Sequence, residues 1–129
     1  MNLSLMHQRF VDRTARKPEG KWAVKSYNAP RGHYRSFRKI LELLRLESGD
    51  SYCEIGCGGG VLLNWALQKA GSGAAIDHSE EMVSLSIRNN EDFVRRNMVE
   101  ISRGSAENLP WASGSFTACG CANMFFFLE

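Results

Sequence analysis

Between Tyr34 and Leu46 the apolar residues Phe37, Ile40, Leu41 and Leu44 recur at i, i+3, i+4 and i+7, which is the spacing of one stripe on a helix. The stretch ESGD at 47–50 ends that helix, and Gly49 is placed for a left-handed C-terminal residue. SYCEI at 51–55 predicts a short strand that runs straight into GCGGG at 56–60. VLLNWALQKAG follows as a strongly apolar helix closed by Gly71. GAAID at 73–77 predicts a small buried strand, after which Ser79 opens a helix that continues to about Arg96. Glu80 and Glu81 suit the positive end of that helix, although no Glu or Gln stands at 82 to complete a capping box. MVEIS at 98–102 and FTACGCANM at 116–124 read as the third and fourth strands.

Strands that alternate with helical crossovers of this length imply a parallel sheet with right-handed connections, so the predicted class is α/β. Residues 1–32 lack periodicity and carry the breakers Pro18, Gly20, Pro30 and Gly32. They predict an irregular arm with one short helix near its start, followed by a domain over 33–129. The chain shows neither internal repeats nor low-complexity segments.

Composition places the chain in an ordinary globular class. Its 129 residues are 43% hydrophobic and 23% charged, enough for one domain with a real core. No apolar run approaches the ~20 residues of a membrane helix, and the N-terminus lacks the apolar stretch and cleavage site of a secretory leader. A cytoplasmic protein without membrane association is the expectation. The net charge of +2 conceals an asymmetry: residues 1–50 hold 11 basic and 5 acidic groups, residues 51–129 hold 5 and 9. A basic arm on an acidic body can meet an acidic small molecule, but no Arg-rich block is dense enough to argue for nucleic acid.

Cys53, Cys57, Cys119 and Cys121 have spacings that match neither a zinc knuckle nor a thioredoxin-type pair. They read as free buried thiols, with Cys119 and Cys121 on one side of a strand. His7, His33 and His78 are scattered, so no metal site is expected.

The chemistry concentrates at Glu54-Ile55-Gly56-Cys57-Gly58-Gly59-Gly60, between a predicted strand and a predicted helix. Glycines there allow a tight turn and let a ligand approach the backbone, with the helix N–H groups aimed at the same space. Asp77 stands 21 residues after Gly56 at the end of the second strand, where a carboxylate can accept hydrogen bonds from two ribose hydroxyls. Together they describe an adenosine-type site at the carboxyl edge of the sheet. A dinucleotide fingerprint would place its third glycine at position 61, where Val61 stands; this and the acidic residue before the glycines weigh against a nicotinamide-dependent reductase.

Four stretches in order, YCEIGCGGG at 52–60, AIDHSEEMV at 75–83, GSAENLPWASGSF at 104–116 and CANMFFFLE at 121–129, resemble the class I S-adenosylmethionine-dependent methyltransferases with a methyltransferase type 11 domain. The resemblance implies a Rossmann-like parallel sheet of seven strands with helices on both faces, of which this chain holds about four. It implies S-adenosylmethionine as cofactor. It assigns Gly56, Gly58 and Gly60, with Glu54 beneath them, to the methionine and ribose region, and Asp77 to the ribose. His78 and Met82 match residues lining the adenine, and Ser105, Ala106 and Glu107 match the loop that reads its edge. The family usually has Asp at the position of Ser105, where a hydroxyl adds no charge. Asn123 matches a position facing the methionine end and the substrate, while Tyr27, His33 and Tyr34 are candidates to cover the site.

Methyl transfer from an activated sulfonium needs mainly proximity, orientation and exclusion of water, and no residue presents itself as a general base. The expected acceptor is a small molecule. The sequence ends just after the predicted fourth strand, which would leave an apolar edge open to self-association or a partner chain. The expectation is a fragment carrying the cofactor-binding half. The rival is an inactive truncated form that only binds the cofactor or associates through that edge.

Overall fold

Four short extended runs lie side by side in the computed structural model, which describes residues 20–122. They are β1 (Ser51–Ile55), β2 (Ser72–Asp77), β3 (Val99–Arg103) and β4 (Ala118–Gly120). All pairings are parallel, in the order β3-β2-β1-β4. β1 is therefore interior, with Glu54 opposite Ala75 on one side and Gly120 on the other. The chain leaves β1 toward β2 but returns past it to β4, so the carboxyl end of β1 is a switch point of the kind where α/β sheets bind ligands.

Three helical elements precede the sheet, α1 (Gly20–Asn28), a 3-10 turn (Arg31–His33) and α2 (Tyr34–Leu44). α3 (Val61–Leu67) joins β1 to β2, α4 (Glu80–Asn89) and α5 (Glu91–Arg95) join β2 to β3, and a loop joins β3 to β4. One core cluster joins Tyr52, Ala75 and Val99 of the sheet to Leu63, Ala66 and Leu67 of α3 and to Leu46. A fully buried leucine such as Leu63 contributes roughly 1.5–3 kcal/mol to folding. A second cluster, Met82 and Leu85 of α4 packed against Val24 and Tyr27, fastens α1 to the rest.

Several expected boundaries move, each for a local reason. α2 stops at Leu44 because Arg45 turns left-handed at φ 50° and its N–H returns to the Leu41 carbonyl at 3.2 Å, so the reversal comes before Gly49. α3 ends at Leu67; the Gly71 N–H donates instead to the Asp50 carbonyl at 3.0 Å, leading the chain into β2. The single helix expected from Ser79 to Arg96 is two, broken at Asn90. β4 covers 118–120 rather than 116–124 among the described residues. The expected irregular arm is corrected over 20–28, which are helical in α1; residues 1–19 lie outside the described set. Cys53 and Cys57 are buried as thiols, but Cys119 is exposed on β4.

Candidate cofactor site at the glycine turn

The turn after β1 is built from backbone that only glycine tolerates well. Gly56, Gly58 and Gly60 have φ of 75°, 53° and 79°. The Gly56 and Cys57 N–H groups donate to the Ile76 carbonyl at 2.9 and 3.1 Å, which ties the turn to β2. A Cβ on Gly59 would strike the Tyr27 carbonyl, and one on Gly60 would strike the Ser86 hydroxyl and the Asn90 amide. The missing side chains thus let α1 and α4 close onto the turn from two sides.

Asp77 organises the other half of the site. One carboxylate oxygen accepts the Gly58 N–H at 2.9 Å and the other accepts the Ser79 N–H at 2.9 Å. Each oxygen of a carboxylate takes about two hydrogen bonds, so acceptor capacity remains on both for a pair of hydroxyls. Ser79 caps α4 by accepting the Met82 N–H at 3.4 Å, which fixes the turn that carries His78. The Gly104 N–H donates to the Asp77 carbonyl at 3.0 Å. The ends of β1, β2 and β3 are in this way stitched together along one edge.

Glu54 lies within the sheet two residues before the first glycine, only 2% exposed, with its Oε2 lacking a hydrogen-bond partner. Burial holds its carboxyl well above the usual range, and the nearby Asp77 charge adds to this. Tyr52, two residues earlier on the same face of β1, is fully buried with its hydroxyl likewise unpartnered, against Gly120 of β4. Burial raises that phenol, and the charge of Glu54 raises it further. Cys57 in the turn is pushed well up by burial, then by Glu54 and Asp77, so its thiol stays neutral.

The expected site residues fall into three groups. Glu54, Gly56, Gly58, Gly60 and Asp77 are brought together as described. His78 is half-buried, and its carbonyl accepts the Arg103 Nε–H at 3.2 Å. Ser105, Ala106 and Glu107 follow β3 beside Asp77; the Ser105 hydroxyl accepts the Glu107 N–H at 3.2 Å and so shapes its own loop. Met82 is fully buried with Leu85, Val24 and Tyr27, so a ring reaches its thioether only where α1 stands aside. Asn123 lies outside the described residues.

Of the three candidate covering residues, Tyr27 does lie on the turn, its ring 3.0 Å from where a Gly58 Cβ would stand. Its phenol is raised by burial and by Asp77. His33 and Tyr34 pack elsewhere: His33 stacks with Phe37 at 6.1 Å and Tyr34 meets Trp65 at 5.1 Å. Sequence reasoning missed Asn89 and Asn90, whose side-chain amides donate to the Gly59 and Gly60 carbonyls at 2.8 and 3.0 Å. The signal available was two adjacent turn-forming residues inside a helical pattern. It also missed Arg103, which pairs with Glu80 at 2.9 Å across the mouth of the β2–α4 turn.

An adenosine-bearing sulfonium cofactor fits this donor set: a cradle without Cβ atoms, a carboxylate with spare acceptors, and a buried acid with one orphaned oxygen.

Comparison with known proteins agrees with the fold. The YcgJ protein of Bacillus subtilis is similar at 21% identity and a TM-score of 0.63, covering 69% of this chain and 38% of that one. Geranyl diphosphate methyltransferase, solved with GPP and sinefungin, is similar at 18% identity and a TM-score of 0.68, covering 77% and 38%. An RNA methyltransferase from Salinibacter ruber, in complex with S-adenosyl-L-homocysteine, is similar at 21% identity and a TM-score of 0.52, covering 58% and 50%. The chain thus spans between about a third and a half of the length of these relatives. No curated protein matches it in sequence. The family model described as a methyltransferase domain matches residues 53–129, and the chain belongs to that family, the type 11 methyltransferase domains.

Proposed function

We propose that the chain carries the cofactor-binding part of an enzyme that transfers a methyl group from S-adenosylmethionine to a small-molecule acceptor. The observation that carries this reading is the Asp77 carboxylate bonded to the Gly58 N–H at 2.9 Å, which joins an acceptor at the end of β2 to a glycine cradle at the end of β1. In this reading Asp77 takes the ribose hydroxyls. The glycine turn and Glu54 receive the methionine end, and His78 with the Ser105–Ala106–Glu107 loop flanks the adenine. By the sequence resemblance, Asn123 matches the family position that serves the methionine end and the acceptor. When bound, the cofactor supplies an activated methyl group on a sulfonium. The chain's contribution is placement and dryness: Tyr27 covers the turn, and Asn89 and Asn90 hold its carbonyls.

A small-molecule acceptor is supported by the sequence resemblance and by the geranyl diphosphate enzyme among the similar folds. The domain begins near residue 33 in this reading, with 1–32 as its basic arm. Partner contacts, including self-association along β4, and a cytoplasmic location belong to the same proposal. Ultraviolet cross-linking of methyl-tritiated S-adenosylmethionine tests it: the chain should take up label, and excess S-adenosylhomocysteine should abolish it. Labelling that survives the competitor overturns the reading.

A further inference from the structure

Glu54 is a buried carboxyl with no counter-cation among the described residues. Its side chain is enclosed, one oxygen makes no hydrogen bond, and it stands in mid-sheet opposite Ala75 and Gly120. The ionisable groups within reach of its charge are Tyr52 and Cys53 on β1, Cys57 in the turn, Asp77 on β2 and Cys121 after β4. From α1, Tyr27 lies on the turn and faces Asp77. Every one of these is an acid. No lysine, arginine or histidine among the described residues belongs to the set. An isolated carboxylate in such surroundings is costly, and the cheaper state is the protonated one. Asp77 differs, since two backbone N–H groups serve its charge.

A ligand that brings a positive charge to this turn changes the balance, because an opposite charge nearby favours the ionised acid. We propose that Glu54 carries a proton in the cofactor-free protein and releases it to solvent when the cationic methionine end of the cofactor enters, so that binding is coupled to loss of one proton. The inference rests on the cofactor reading above. The O–H bond of the carboxyl breaks, the proton passes to water or buffer, and the carboxylate faces the ligand's cation. Affinity for the cofactor then rises with pH below the titration point of the free protein, by up to about tenfold per pH unit for one proton released.

Calorimetric titration of the chain with S-adenosylmethionine, at one pH in phosphate and in Tris, reads this coupling. The observed heats should differ by the amount expected for release of ~1 proton, since the two buffers have different ionisation heats. Glu54→Gln should still bind, with the same heat in both buffers and an affinity that no longer changes with pH. Saturable binding without a buffer difference overturns the proposal and leaves the cofactor reading intact, as does an unchanged buffer difference in Glu54→Gln. Absence of binding by folded protein overturns both. If Glu54→Gln does not fold, carbon-13 carboxyl spectra of glutamate-labelled wild type decide the matter. One buried carboxyl signal should move from the protonated to the ionised position on titration, and a static signal contradicts the proposal.

Discussion

At Gly60 the backbone and the packing make the same demand. Its φ of 79° disfavours any side chain, and a Cβ there would meet Ser86 and Asn90. Gly60→Ala is therefore expected to cost about 1–3 kcal/mol from conformation alone, with the collision adding to it. Gly49 is the contrast: a Cβ there meets nothing within 4 Å and its φ lies outside the left-handed range. Gly49→Ala should be neutral or stabilise by roughly 0.4–1 kcal/mol through the unfolded chain. Urea unfolding of both variants checks the pair; equal losses would mean that the turn is not held as described. The glycine turn and its aspartate partner were readable because glycine and aspartate have few reasons to recur at this spacing. What the sequence did not show is which glycine serves which neighbour. That depends on Tyr27 and Asn90, which approach the turn from 31 and 30 residues away in the chain, measured to Gly58 and Gly60 respectively.

At the scale of elements, the break between α4 and α5 locks the site. Asn90 ends α4 with its side chain buried, donating to Gly60 of the turn and to the Ser86 carbonyl at 2.9 Å. Asn90→Ala removes both side-chain bonds while the Asn64 and Asn90 N–H groups still serve the Gly60 and Ser86 carbonyls, so the expected loss is that of two hydrogen bonds at about 0.5–1.5 kcal/mol each. Hydrogen exchange should quicken at the glycine turn as well as at the end of α4. Faster exchange in α4 alone would contradict the coupling. Apolar periodicity predicted one helix here because Leu85 and Phe93 continue a helical rhythm across the junction, while a side chain that competes for backbone hydrogen bonds leaves little trace in that rhythm. Strands fared better: β1 appears with its predicted bounds, since its run is short, buried and closed by glycine. The short β4 and the helical α1 were less legible, because both are settled by contacts with distant elements, β1 and α4.

Across the whole molecule, two acids set opposite pH trends. Glu54 titrates above its ordinary 4.5 in the folded chain, so its contribution to stability is full below that pH and is lost as pH rises toward the raised value. The slope from this one group reaches at most about 1.4 kcal/mol per pH unit, and Glu54→Gln should flatten it. Asp50 runs the other way. The Glu47 N–H at 2.7 Å and the Thr117 hydroxyl at 2.8 Å hold its carboxyl below 3.8, so its contribution is present above that pH and fades as acid passes through the lowered value. Asp50→Asn should therefore alter unfolding at neutral pH and merge with wild type in strong acid. Denaturation midpoints across a pH series separate the two, and trends of the same sign would refute the assignment. Both groups sit on or beside β1, which links the stability of the sheet to the chemistry of the edge it carries.

In the proposed function, the ends of β1 and β2 form a cofactor site organised by Asp77. Calorimetric titration with S-adenosylhomocysteine, wild type against Asp77→Ala, tests it most directly. The wild type should show saturable one-to-one binding. In the variant it should be weaker by roughly 1.5–3 kcal/mol, the value of a hydrogen-bonding charged group. Equal affinity in the two proteins, or no binding by a folded wild type, would contradict it.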